Sequence, residues 1–249
     1  MTYCVGMALK DGLVMVSDSR TNAGVDHISV FRKLNIWKKP GERIIALTTA
    51  GNLAITQAVI DLVTEGLPLD DEEDIVCMDT VKTMRNAARL IGKALRIVEA
   101  QDGEALRQQG VDFSAAILLG GQIAGGRMRL FQIYTAGNFI EATEQTPYFQ
   151  IGETKYGKPI LDRVIQYDLS LEDAVKLSLI SMDSTLRSNI SVGPPLDVIT
   201  IKRDAFELDI QRTIEEDDPY LKEIQKKWGQ ALRSAFKRIP PMPIDVPTP

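Results

Sequence analysis

At 249 residues, 44% hydrophobic and 25% charged, the chain has an ordinary globular composition and the length to bury about three quarters of its unfolded surface in one domain. No apolar run reaches the ~20 residues of a membrane-spanning helix, and Met1-Thr2-Tyr3 lacks the basic start of a secretory signal, so a cytoplasmic location without a membrane partner is expected. The net charge of -5 is spread without a basic stripe, which argues against a nucleic-acid partner.

Two cysteines, Cys4 and Cys77, have neither metal-ligand spacing nor a disulfide framework and read as small buried apolar side chains. The single histidine, His27, lies in a polar segment between two strand-like runs and reads as a solvated loop residue. A His-rich zinc site is thereby excluded, and hydrolytic chemistry must draw on Thr, Lys and carboxylates. Gly120-Gly121 and Gly125-Gly126 are not followed by a helix carrying Lys-Ser or Lys-Thr, so no phosphate loop and no cofactor are expected, and any ATPase would be a separate chain.

In chain order, residues 2–9 and 13–17 are predicted to be two strands of a hairpin turned at Asp11-Gly12. A loop at Asn22 to Asp26 precedes short strands at 28–30 and 34–37, and Lys39-Pro40-Gly41 turns into a strand at 43–49. Gly51-Asn52 opens a helix over 53–65, closed by Gly66 and Pro68, and a second helix is predicted over 75–99. The acidic run at 70–74 is read as a solvated loop that favours the start of that second helix.

Strands follow at about 113–120, 128–135, 138–142 and 147–151, then helices at 154–165 and 171–187, the latter opened by Ser170-Leu171-Glu172-Asp173. A hairpin turned at Arg203-Asp204 joins strands 196–202 and 205–212, and a helix runs from about 217 to 238. The order is neither alternating βαβ nor all-β, and it predicts an α+β fold of antiparallel sheets with helices on their outer faces. Residues 1–239 are read as one domain and the Pro-rich residues 240–249 as an extended tail or an arm onto a neighbouring subunit, anchored by Ile244 and Val246.

Thr2, Asp18 and Lys33 are the residues for which spacing and chemistry agree. Thr2 begins one strand of the first hairpin and Asp18 ends the other, so their side chains approach one another. With Met1 removed, Thr2 supplies both a hydroxyl nucleophile and an α-amine of reference pKa near 7.7–8.0 as its base. Lys33 would stabilise the ionised hydroxyl and Asp18 would orient Lys33. The same three positions also fit an ordinary second residue, a strand-end Asp and a solvated Lys, and the spacing alone leaves both readings open.

The pattern Thr2-x-x-Val5-Gly6-x-x-Leu9-Lys10-Asp11-Gly12, with Val14-Met15-x-x-Asp18-x-Arg20, resembles the start of mature proteasome β-subunits and their relatives among the N-terminal nucleophile hydrolases. Lys33 and the strand leading to Ala50-Gly51 are similar too. Length, the segment Ser191-Val192-Gly193-Pro194-Pro195-Leu196-Asp197 and the long C-terminal helix are most similar to the ancestral β-subunit branch. The resemblance implies a four-layer α/β/β/α sandwich in a ring-like or helical homo-oligomer, acting on a peptide or related amide substrate. It implies Thr2 as nucleophile, Lys33 as proton-handling group, Asp18 as its anchor, Arg20 in the supporting network and a backbone oxyanion donor at Leu47 or Thr48. Where peptidase subunits place a Ser beside the nucleophile, this chain aligns Gly152-Glu153, and their Asp-x-x-Ser-Gly-Gly appears as Ser188-Asn189-Ile190-Ser191-Val192-Gly193. The expected function is a threonine amidohydrolase; a non-catalytic assembly protein and a small-molecule amidase or amide transferase on the same fold are the alternatives.

Overall fold

A computed structural model describes residues 1–22, 28–69 and 74–243. The strands are β1 (Tyr3–Ala8), β2 (Gly12–Asp18), β3 (Arg20–Asn22), β4 (Ile28–Val30), β5 (Leu34–Lys39), β6 (Arg43–Gly51), β7 (Leu67–Pro68), β8 (Ile75–Val76), β9 (Ala115–Ile123), β10 (Arg129–Ile133), β11 (Phe139–Glu141), β12 (Tyr148–Gly152), β13 (Leu196–Lys202) and β14 (Ile210–Ile214). The helices are α1 (Leu53–Glu65), α2 (Met84–Gln108), α3 (Lys158–Val164), α4 (Leu171–Ser188) and α5 (Pro219–Arg238). Two five-stranded antiparallel sheets, in the orders β12-β1-β2-β13-β14 and β11-β10-β9-β6-β5, carry the fold.

Alternation along each strand builds four layers. Tyr3, Val5, Met7, Val14 and Val16 pack with Leu161, Leu177 and Leu221 of α3, α4 and α5 on one outer face. Cys4, Leu13, Met15 and Ile199 meet Ile44, Ala46, Leu118 and Leu130 between the sheets. Ile45, Leu47, Leu119 and Phe131 turn the other way, onto α1 and α2. Both faces of the central strands are covered, so they read in sequence as apolar runs without alternation. This is the α/β/β/α sandwich expected of the chain.

The first hairpin forms one residue away from its expected turn. Leu9 and Gly12 exchange backbone hydrogen bonds at 2.8 and 3.3 Å, so Lys10-Asp11 are the turn residues and Cys4 pairs with Ser17. Gly12 serves another end: a Cβ there would collide with the Ile201 carbonyl of β13. The resulting register brings Asp18 opposite Tyr3, beside Thr2 rather than farther along the sheet.

Other boundaries also move. Arg20–Asn22 is a short strand paired with Ile28–Val30, where a loop from Asn22 was expected; the rest of that loop, with His27, lies outside the described residues. The second helix starts at Met84, not 75, because Thr83 caps it through the Asn86 N–H, while Ile75–Val76 pairs with Leu67–Pro68. The acidic run therefore does not lead directly into a helix, and its residues 70–73 lie outside the described set. At its other end α2 runs through Gly103 to Gln108. The α3 helix begins at Lys158, after a turn in which Gly157 sits against the Tyr3 hydroxyl and Ser181. The last hairpin resumes only at Ile210, since Asp204 and Phe206 take φ of 62° and 54° and break the strand expected from 205. The predicted helix starts at Leu53 and Leu171 coincide with observed caps, Asn52 and Ser170. Ile244 and Val246 lie outside the described residues.

Candidate active site

The site lies where β1 starts, β2 and β6 end and β5 begins. Asp18, fully buried, accepts hydrogen bonds on Oδ1 from the Tyr3 N–H at 3.1 Å and from Lys33 Nζ at 2.8 Å. Its Oδ2 takes a long contact, 3.5 Å, from the Gly193 N–H. Lys33 is 5% exposed and donates a second bond to the Arg20 carbonyl at 2.6 Å. A buried ammonium is thus held by a buried carboxylate, which in turn holds the backbone next to Thr2. Burial pushes the Asp18 carboxyl above its ordinary range, and the Lys33 ammonium and the two N–H donors pull it back.

Thr2 is itself buried, while Met1 is 60% exposed at the mouth of a cleft of about 690 Å³. Thr2 and Lys33 line that cleft together with Thr21, Thr49, Ala50, Gly51 and Asn52. The end of β12 closes on the same residue: Gly152 adopts φ +84°, and the Glu153 N–H donates to the Thr2 carbonyl at 2.7 Å. Any Cβ at Gly152 would occupy the place of that carbonyl. Neighbouring Cys4 is excluded as a nucleophile, because burial, with a further push from the Asp18 charge, raises its thiol to about 12.

Among the supporting residues expected from the sequence, Arg20 donates to the Ile190 carbonyl at 3.1 Å, and its guanidinium lies so close over Gly193 that a Cβ there would collide with it. Arg20 therefore shapes the segment that brings the Gly193 N–H to Asp18. Glu153 is 5% exposed and is bound by Asn189 Nδ2 at 2.9 Å and Lys155 Nζ at 3.3 Å. Ser188 is the exposed last residue of α4, and Ser191 is fixed through its N–H on Asn189 Oδ1 at 2.9 Å. Besides the Gly193 N–H, this segment contributes the Asn189 side chain, which binds Glu153 and which the sequence did not single out.

Thr48 is not at the cleft. It lies fully buried inside β6, opposite Leu34 and Leu118, with its side chain beside Cys4 between the sheets. The cleft wall starts one residue later and runs from Thr49 to Asn52. Here Asn52 donates its N–H to the carbonyl of Ser114, the residue just before β9, at 2.9 Å, with Gly51 opposite Ala115. Strand alternation then turns the Gly51 N–H to the other edge, beyond the point where β5 begins at Leu34. Gly51, at φ +115°, has no room for a Cβ against the Ser114 carbonyl. The sequence signal for this position was Gly51 itself, immediately before the Asn52 helix cap.

Residues 2–201 match the family described as Proteasome subunit. Proteasome subunit beta 1 of Pyrobaculum aerophilum is 26% identical over 206 residues, 82% of this chain and 91% of that protein. The solved structure of Anbu (ancestral beta-subunit) from Yersinia bercovieri is 50% identical, with a TM-score of 0.88 over 97% of this chain and 99% of that one. A structure described as the helical assembly of the Anbu complex from Pseudomonas aeruginosa is 45% identical, with a TM-score of 0.89 over 97% of this chain and 98% of that one. The chain belongs to the proteasome-subunit family and groups there with the Anbu, or ancestral β-subunit, proteins.

Proposed function

We propose that the chain is a threonine amidohydrolase that acts within a homo-oligomer on peptides or a related amide, using Thr2 exposed by removal of Met1. The observation that carries this reading is the convergence on one cleft: Thr2 and Lys33 line it, and Asp18 holds both Lys33 and the Tyr3 N–H. The Thr2 hydroxyl attacks the amide carbonyl, its proton passing to the α-amine, while the Lys33 ammonium stabilises the developing alkoxide. The tetrahedral oxyanion is received by the Gly51 N–H, the donor whose orientation the β6–β9 ladder supports. Collapse expels the amine leaving group and forms an ester on Thr2, which water hydrolyses to release the acid and restore the hydroxyl.

Residues 1–239 serve as the hydrolase domain and 240–249 as a tail or intersubunit arm in this scheme, with the cytoplasm as its setting. Intact mass of protein from its native cell, combined with amide hydrolysis by wild type and Thr2→Ala, tests it. Loss of Met1 and loss of hydrolysis in the variant are expected. Retention of Met1 in all molecules would overturn the free-amine mechanism and favour an assembly protein that keeps only the fold.

A further inference from the structure

Removal of Met1 places a cation on Thr2 itself, and one buried carboxylate nearby is poorly neutralised among the described residues. Glu153 is 5% exposed, yet among the described residues its ion-pair partner is Lys155, 3.3 Å away and 66% exposed, and its second oxygen accepts from the neutral Asn189 amide at 2.9 Å. A buried carboxylate with one exposed cation for company is costly unless a further donor arrives. Its backbone is already bound to Thr2, since the Glu153 N–H donates to the Thr2 carbonyl. Gly152, the last residue of β12, pairs with Tyr3, so Glu153 follows directly on the strand end that reaches Thr2.

We propose that Glu153 is the positioning residue for the free α-amine of Thr2: its carboxylate accepts a hydrogen bond from the ammonium, fixes its direction and raises the pH at which it releases its proton. This rests on the reading that Thr2 becomes the N-terminus. Asn189, from the end of α4, holds the carboxylate in place. Other charges bear on the amine as well. Asp18 from β2 reinforces Glu153; Lys33 just before β5, Arg20 of β3 and Lys155 oppose it; the Asp183–Arg187 pair of α4 is internally neutralised. The amine then becomes a free base only above neutral pH, which confines hydrolysis to the alkaline side.

The test uses full-length chain released from a cleavable fusion so that Thr2 is the first residue of every molecule. Its α-amine is acetylated with trace acetic anhydride across pH 5–10, and the N-terminal peptide is quantified by mass. Relative to wild type, Glu153→Gln should shift the labelling curve down by about one pH unit, roughly a ten-fold faster reaction at pH 7, because the amide keeps the volume and loses the charge. Glu153→Asp, which keeps the charge, should stay nearer to wild type. Superimposable curves for wild type and Glu153→Gln, or a shift equal in both variants, would overturn the proposal. Labelling needs no turnover: a shifted curve in an inactive protein would sink the hydrolase reading and leave the role of Glu153 standing.

Discussion

Asp18 and Lys33 depend on each other more than a surface pair does, because both are buried and each satisfies the other. Removing one partner of such a pair costs about 3–5 kcal/mol, the penalty of an uncompensated buried charge. Lys33→Ala should therefore lower stability as well as abolish hydrolysis. Burial already pushes the Asp18 carboxyl upward, and the loss of Lys33 pushes it further. Its folded value then lies above the unfolded one, so the variant regains stability as the pH falls and Asp18 takes a proton, and loses it as the pH rises through the folded value. Urea unfolding at pH 8 and pH 5 should show the larger deficit at pH 8; an equal deficit at both would mean that the pair is not electrostatically coupled. At this scale the sequence was most informative where chemistry is tied to chain position. Thr2, Asp18 and Lys33 were legible because strand ends and titratable groups coincide. Asn189 was not, because only the folded end of α4 brings its amide to Glu153.

Among the elements, the end of β6 carries the proposed oxyanion donor. Gly51 combines φ +115° with close approach to the Ser114 carbonyl, so Gly51→Ala requires the strand to leave β9 or the turn to reshape. A loss of about 1–3 kcal/mol and of nearly all hydrolysis is expected. Gly41→Ala is the control, since Gly41 also has positive φ but faces open space. Thermal unfolding and amide hydrolysis of both variants separate the two costs: Gly41→Ala should lose some stability and no activity. If Gly51→Ala stays fully active, the donor lies elsewhere in the wall from Thr49 to Asn52. The same stretch shows why the sequence placed the oxyanion donor at Leu47 or Thr48, upstream of the residues that line the cleft. Ile44 to Ala50 is an unbroken buried run whose register cannot be counted from composition, whereas the β6–β9 ladder fixes it through Asn52 and Ser114. The start of α2 was lost for a related reason. Apolar residues from Ile75 onward fit a helical period, and only the Thr83 cap and the β7–β8 pairing mark where the helix begins.

The whole molecule was the most legible level: the order of strands and helices, with two good helix caps, led to antiparallel sheets covered by helices, and the four layers are found. Assembly was less so. On the outer side of the sandwich, α5 buries Leu221 and Ile224 while Leu232 and Phe236 farther along stay 51% and 77% exposed, a distribution that suits contact with another subunit. In the proposed chemistry a single residue, Thr2, must be both nucleophile and base within this fold. This double role is tested most directly with a peptide epoxyketone, whose six-membered ring adduct requires the hydroxyl and the α-amine of the same residue. Intact mass after incubation of Met1-free protein should increase by the full mass of the reagent, located on Thr2 and absent from Thr2→Ala. Met1-free protein that gains no mass, or gains it equally in Thr2→Ala, would contradict the account.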